Sequence, residues 1–134
     1  MPIATVAAII TSKGINTERI LLTRRKVEPF KEMWCLPGGH IDKNEMAKDA
    51  IIREVKEEIG IDLEPSFFGY FDEIIPEKNI HAIVLVFTGK WIGEVIPSKD
   101  EVSQIGWFSI SQTLSVPIAF EHNIIIDAYA KAQI

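Results

Sequence analysis

The stretch from Gly39 to Ile61, GHIDKNEMAKDAIIREVKEEIGI, constrains this chain more than any other segment. It is entered through Pro37-Gly38, and a proline followed by two glycines can bend sharply and approach a ligand closely. A helical pattern follows. Ala47, Ile51, Val55 and Ile59 recur every four residues and give one core-facing stripe. Asn44 offers an N-cap, Glu45 falls in the first turn where the helix dipole favours an acid, and Gly60 supplies the stop. Glu54, Glu57 and Glu58 are spaced i, i+3 and i+4, so they project together beside the stripe. Like charges at that spacing oppose one another, and a hard divalent ion with oxygen ligands is the natural partner for them. The helix is expected to pack on a sheet and present its acids to a cleft.

At 134 residues, with 47% hydrophobic and 25% charged residues, the chain has material for one domain spanning 1–134 with a single core. The net charge of −5 argues against nonspecific binding to duplex nucleic acid, which needs a basic surface. An acidic protein can still take a phosphate substrate if a bound cation reverses the local field. Cys35, the one cysteine, excludes an intrachain disulfide and reads as a buried strand residue. No stretch approaches the length of a bilayer span and the apolar N-terminus lacks a basic start, so a cytosolic protein with no membrane contact is expected.

Ile3 to Ser12 reads as a buried strand turning at Lys13-Gly14, with Arg19 to Arg25 as its hairpin partner. Trp34 to Leu36 is a short strand. Phe67 to Ile75 and Ala82 to Trp91 read as a mostly antiparallel pair, with Gly89 marking a bulge or an end. Glu94 to Glu101 is a polar loop and Ile105 to Ser109 a further strand. Glu121 to Ala132 is helical, with Ile125, Ala128, Tyr129 and Ala132 on one side. Strands before, around and after two helices give an α+β fold, a mixed β-sheet flanked by helices.

The segment from Gly39 resembles the Nudix box, the signature of the Nudix hydrolases. Gly39, Glu45, Arg53, Glu54, Val55, Glu57, Glu58, Gly60 and Ile61 fill its restricted positions in register. Leu21-Leu22 with Arg24, Trp34 with Leu36-Pro37-Gly38-Gly39, and Trp107-Phe108 resemble the family's flanks. The resemblance implies an α/β/α sandwich and a Mg²⁺-dependent pyrophosphohydrolase of MutT type, with Mn²⁺ as a substitute ion. It implies metal ligation by Glu54, Glu57, Glu58 and the Gly38 carbonyl, and catalytic roles for Glu54 and Glu57 with Arg53 orienting a box glutamate. An acid outside the box often completes such a site, and Glu101 is the candidate, with Glu94 second. Glu45 is structural in this picture.

Without the rest of the pattern, three helical glutamates would read as a solvated face. Arg24, Arg25 and Lys26 are candidates for phosphate contacts, or a charged strand end. Trp34, Phe30 and Phe87 are candidates for stacking on a base, although core packing accounts for most such aromatics. Gly39 and His40 face the expected substrate, whereas His81 and His122 read as surface or strand residues. The expected substrate is a nucleotide or nucleotide-derived small molecule, first a (deoxy)nucleoside triphosphate. Pro76, fifteen residues beyond Ile61, resembles a marker of ADP-ribose pyrophosphatases. A catalytically silent sensing module is a further class, but all three acids are intact. A glycosidase pair fits poorly, because neighbouring acids on one helix do not flank a sugar ring. A homodimer is common in such a family.

Overall fold

The computed structural model describes residues 1–13 and 18–133. The apolar N-terminal run divides into two strands in two sheets. β1 (Ile3–Ala8) lies in one sheet and β2 (Thr11–Lys13) in the other, with Ile9 and Ile10 between them fully buried. The expected turn at Gly14 lies outside the described residues. β3 (Glu18–Arg25) pairs antiparallel with β2, as expected, and with β4 (Trp34–Cys35). β5 (Gly38–His40) leads to α1 (Ala47–Ile59). β6 (Asp62–Ile75) and β7 (Ile80–Ile92) form the long antiparallel pair, joined through a 3₁₀ turn at Pro76–Lys78. β8 (Val102–Phe108) returns to β3, and α2 (Ile110–Thr113) and α3 (His122–Ala132) end the chain.

The first sheet has the order β5-β1-β7-β6, with β1 and β7 parallel and the other neighbours antiparallel. Both of its faces are covered, which is why β1 reads as a continuous apolar run and not an alternating one. Val6, Ala8 and Ile10 pack with Ile51, Val55 and Ile59 of α1. Ala7 and Ile9 point the other way, onto Ile125, Ile126 and Tyr129 of α3. This is the α/β/α sandwich expected from the sequence.

Several local expectations are corrected. α1 begins at Ala47, preceded by an extended Met46 with no side-chain cap, and Asn44 takes a left-handed conformation (φ 64°) instead of capping. The cause is Glu45. Its carboxylate accepts from the Asp42 N–H and is gripped by Arg53, which ties the loop down ahead of the helix. Gly60 ends α1 as expected, left-handed at φ 78° with its N–H on the Lys56 carbonyl. The bulge between β6 and β7 falls between Phe67 and Gly69, and pairing runs unbroken through Gly89 opposite Pro65. In α3 the buried face is His122, Ile125, Ile126 and Tyr129, whereas Ala132 is exposed. His122 is thus a buried helix residue and not a surface one.

Candidate active site

Gly38 and Gly39 are glycines because other groups occupy the space a Cβ would need. A Cβ at Gly38 would stand 2.1 Å from the Val6 carbonyl oxygen, across the β1–β5 pair. At Gly39 it would stand 2.6 Å from the carboxyl carbon of Glu54. The glycine pair therefore lets the α1 acids lie directly against the β5 backbone. The Gly38 N–H donates to Glu58 Oε1 at 3.2 Å.

The acids of α1 are not equivalent. Glu58 is buried, and burial first, then the charge of Glu54, pushes its pKa well above the usual carboxylate range, against the pull of the Gly38 N–H. Glu54 is pushed up less, by burial first, with Arg53 opposing. Glu101 raises both, which brings this loop acid into the same electrostatic cluster. Glu57 is different: its side chain is 59% exposed and turned outward onto Arg53 Nη1 at 3.3 Å.

Arg53 is the hub of the box. It makes a bidentate pair with Glu45, Nε to Oε2 at 2.8 Å and Nη2 to Oε1 at 3.0 Å. Nη1 donates to Glu54 Oε1 at 2.9 Å and Nη2 to the His40 carbonyl at 3.0 Å. One guanidinium thus locks the loop, the end of β5 and the helix together. Arg53 holds the Glu45 pKa down to about 2, with the Asp42 N–H assisting.

These groups border a cleft of about 960 Å³ on the α3 side of the first sheet. Arg25, Gly38, Gly39, His40, Glu54, Glu58 and Glu101 line it. Arg53 and Glu57 stand behind the wall, with Arg53 supporting it. Arg24 is drawn away, because Glu32 takes its guanidinium both by carboxylate and by carbonyl, each at 3.0 Å. Trp34 packs edge-on against Phe108 at 4.9 Å, and Phe87 is buried in the core beneath α1. Glu94 is not part of the wall; its carbonyl oxygen faces Gly60. Lys26 donates to the Lys99 carbonyl, and His81 is exposed on β7 but borders the cleft.

Sequence reasoning missed Glu73 on β6 and misread His122 on α3 as a surface or strand residue; both are buried in the cleft wall. Neither belongs to a motif, and only the packing of α3 against the sheet brings them together. Cys35 also borders the cleft, but it is buried and burial pushes its thiol pKa up, so it is inert.

The donor chemistry fits a hard cation. At the α1 end of the cleft the candidate donors, Glu54, Glu58, Glu101 and the Gly38 carbonyl, are all oxygen. Among the described residues, no three His, Cys, Asp or Glu side chains converge as ligands, because Glu57 is held outward by Arg53. No helix among the described residues is long and apolar enough to cross a membrane.

A mixed sheet between helices, with a glycine loop and an arginine-locked acidic helix at one edge, is the arrangement that the resemblance to the Nudix box implies. Comparison with known proteins agrees. The NUDIX domain family profile matches residues 1–129, and the chain belongs to the Nudix family. Its domain is that of a pyrophosphohydrolase acting on phosphoric anhydride bonds, and the family generally requires a divalent metal ion.

A MutT Nudix hydrolase from Burkholderia pseudomallei is 31% identical, with a TM-score of 0.85 over 95% of this chain and 97% of that one. An 8-oxo-dGTP diphosphatase of Buchnera aphidicola is 30% identical over 90% of this chain and 94% of its own length. An ADP-ribose pyrophosphatase of Methanocaldococcus jannaschii is 32% identical over 84% of this chain, which spans 66% of that relative. The chain spans only 40% of a Deinococcus radiodurans NAD-capped RNA hydrolase to which it is 26% identical.

Proposed function

We propose that the protein cleaves a nucleoside diphosphate linked to a further moiety. The first substrate class is a (deoxy)nucleoside triphosphate, giving nucleoside monophosphate and pyrophosphate. The observation that carries this reading is the burial of Glu58 beside Glu54, against the Gly38–Gly39 backbone, at the edge of a nucleotide-sized cleft. Two neighbouring carboxyls, one buried and one half-buried, each disfavoured in the charged form, are relieved by a cation. Mg²⁺ is the proposed ion, with Mn²⁺ as a substitute. Bound there, it would neutralise phosphate charge and lower the pKa of the attacking water.

Glu58, Glu57, Glu101 and the Gly38 carbonyl are the proposed ligands, with Glu57 leaving Arg53 to take part. Glu54 borders both roles. Its carboxyl keeps one oxygen on Arg53, and burial has moved its pKa toward neutrality, which suits a general base. Water adds to phosphorus, the bridging P–O bond breaks, and the water's proton passes to Glu54. Arg53 acts as a positioning residue, since it touches the acids and not the substrate cleft. Arg25, His40 and the Gly39 backbone are proposed to face the phosphates.

The near full-length match to the diphosphatase of Buchnera supports a triphosphate substrate. ADP-ribose is the second reading, favoured by Pro76 in the cleft wall and by the archaeal relative. A silent sensing module is disfavoured by the intact acids. The test is product analysis on (d)NTPs, oxidised (d)NTPs, ADP-ribose and nucleotide sugars, with Mg²⁺ and with EDTA. Metal-dependent release of pyrophosphate supports the first reading. AMP and ribose 5-phosphate from ADP-ribose would replace it with the second. Nucleotide binding without turnover would replace both with the sensing module.

A further inference from the structure

Catalysis as proposed leaves one polar end of the cleft unused. Glu73 and His122 meet there, with Glu73 Oε2 4.0 Å from His122 Nε2, too far for a hydrogen bond between them. Both are more than nine-tenths buried, at 5% and 7% exposure. Glu73 stands on β6, three inter-strand steps across the first sheet from β5, and His122 is held at Leu36, two residues before the Gly38 that holds Glu58. Arg25 borders both ends of the cleft, its charge acting on Glu58 and on His122.

The hydrogen-bonding capacity at this end is specific. His122 Nδ1 accepts from the Leu36 N–H at 3.0 Å, and burial, with Arg25 assisting, pushes its pKa down to about 3. The ring is therefore neutral, and a neutral imidazole that accepts at Nδ1 carries its proton on Nε2. Glu73 receives only a long 3.5 Å bond from the Glu121 N–H, on Oε2. No fully buried side-chain oxygen or nitrogen among the described residues lacks a partner, so Oε1 opens onto the cleft. With Glu73 ionised, the wall presents a row of acceptor, acceptor and donor: Oε1, Oε2 and Nε2–H. Beside it stands Phe120, a flat apolar surface with the Arg25 guanidinium 5.0 Å over its ring.

Resting on the nucleotide-hydrolase reading, we infer that Glu73 and His122 are the specificity-determining pair of this cleft, reading the Watson–Crick edge of the base and selecting guanine. The complement of acceptor, acceptor, donor is donor, donor, acceptor. Guanine offers this with its 2-amino group, N1–H and O6. Adenine and cytosine offer one donor next to an acceptor, and uracil and thymine one donor between two acceptors. A base held by its edge against side chains in an apolar pocket is read in this way by enzymes that take single nucleotides.

The test is calorimetric titration of the full chain with GMP, IMP, AMP, CMP and UMP, which needs no turnover. IMP lacks only the 2-amino group. The expected result is GMP bound tightest, with IMP weaker by about tenfold, the loss of one charge-assisted hydrogen bond. Glu73→Gln should erase the preference for GMP. His122→Asn keeps an acceptor for the Leu36 N–H but removes the Nε2 donor, and should weaken GMP while the melting temperature stays near wild type. In turnover assays both variants should raise KM for the guanine substrate and leave kcat nearly unchanged. Equal affinity of the wild type for GMP, IMP and AMP would overturn the inference, as would an undiminished GMP preference in both variants. If instead no nucleotide is hydrolysed yet GMP is bound selectively through Glu73, the hydrolase reading fails and the base-reading pair stands.

Discussion

Glu58 and Glu73 are two buried glutamates in the wall of one cleft, 7% and 5% exposed, yet their neighbours differ. Glu58 stands among other acids, Glu54 and Glu101, and burial with like charge raises its pKa far. Glu73 stands beside a neutral histidine, and burial raises its pKa without an acidic cluster around it; Glu121 adds only a minor push. Burial of one carboxylate type thus yields a site short of positive charge at one end and a hydrogen-bonding edge at the other. The first suits a cation and phosphates, the second a neutral polar group.

The sharpest way to break this contrast is to neutralise each glutamate in turn. Glu58→Gln should lower kcat/KM on every substrate by on the order of 10³-fold, several kcal/mol of lost charge stabilisation. In EDTA the same variant should melt no lower than the wild type, because the carboxyl it replaces is one whose charged form burial and Glu54 already disfavour. Glu73→Gln should alter only the ranking of substrates. Steady-state kinetics and thermal melts on the two variants decide it, and equal losses on all substrates from both would erase the distinction. EDTA itself should abolish turnover of the wild type.

Gly39→Ala sharpens the comparison at the acidic end. A methyl group there would meet the Glu54 carboxyl at 2.6 Å and displace it. An ångström-scale misplacement of a catalytic group costs about 10²-fold, so kcat should fall by that order on every substrate.

Arg53→Ala should cost about 10- to 100-fold in kcat, as loss of a residue that orients ligands does. It should also cost about 2 kcal/mol of stability through the bonds to Glu45, Glu54 and the His40 carbonyl. Arg53→Lys should recover little, since an ammonium cannot reproduce the fork.

The smallest effect concerns pH. The Glu45 pKa is about 2 in the folded protein against an ordinary value of 4.5, so its contribution is present above pH 4.5 and is lost as pH falls toward 2. Acid denaturation followed by circular dichroism should therefore show Glu45→Gln with a shallower loss of stability across that window than the wild type.

What the sequence revealed was local. The acids, Arg53 and the glycines lie within one loop and helix, so spacing alone groups them. The sandwich was legible because β1 is apolar on both faces and α1 on one. Glu101 was reachable only as an acid in the right loop. The start of α1 was misread because Asn44 resembles a cap, while a side-chain clasp from Glu45 to Arg53 decides where the helix begins. Glu73 was passed over and His122 misread because forty-nine positions separate them and each looks ordinary in its own element. The bulge at Phe68 was hidden for a similar reason: its ring turns onto Tyr129 of α3, at 5.8 Å.

The most direct test of the central claim is Mn²⁺ binding by electron paramagnetic resonance, on the wild type and on a Glu54→Gln/Glu58→Gln double variant, without nucleotide. Saturable binding by the wild type, weakened at least tenfold in a folded double variant, is the predicted result. Equal binding by both proteins would contradict the account, because the buried acids of α1 would then not hold the ion.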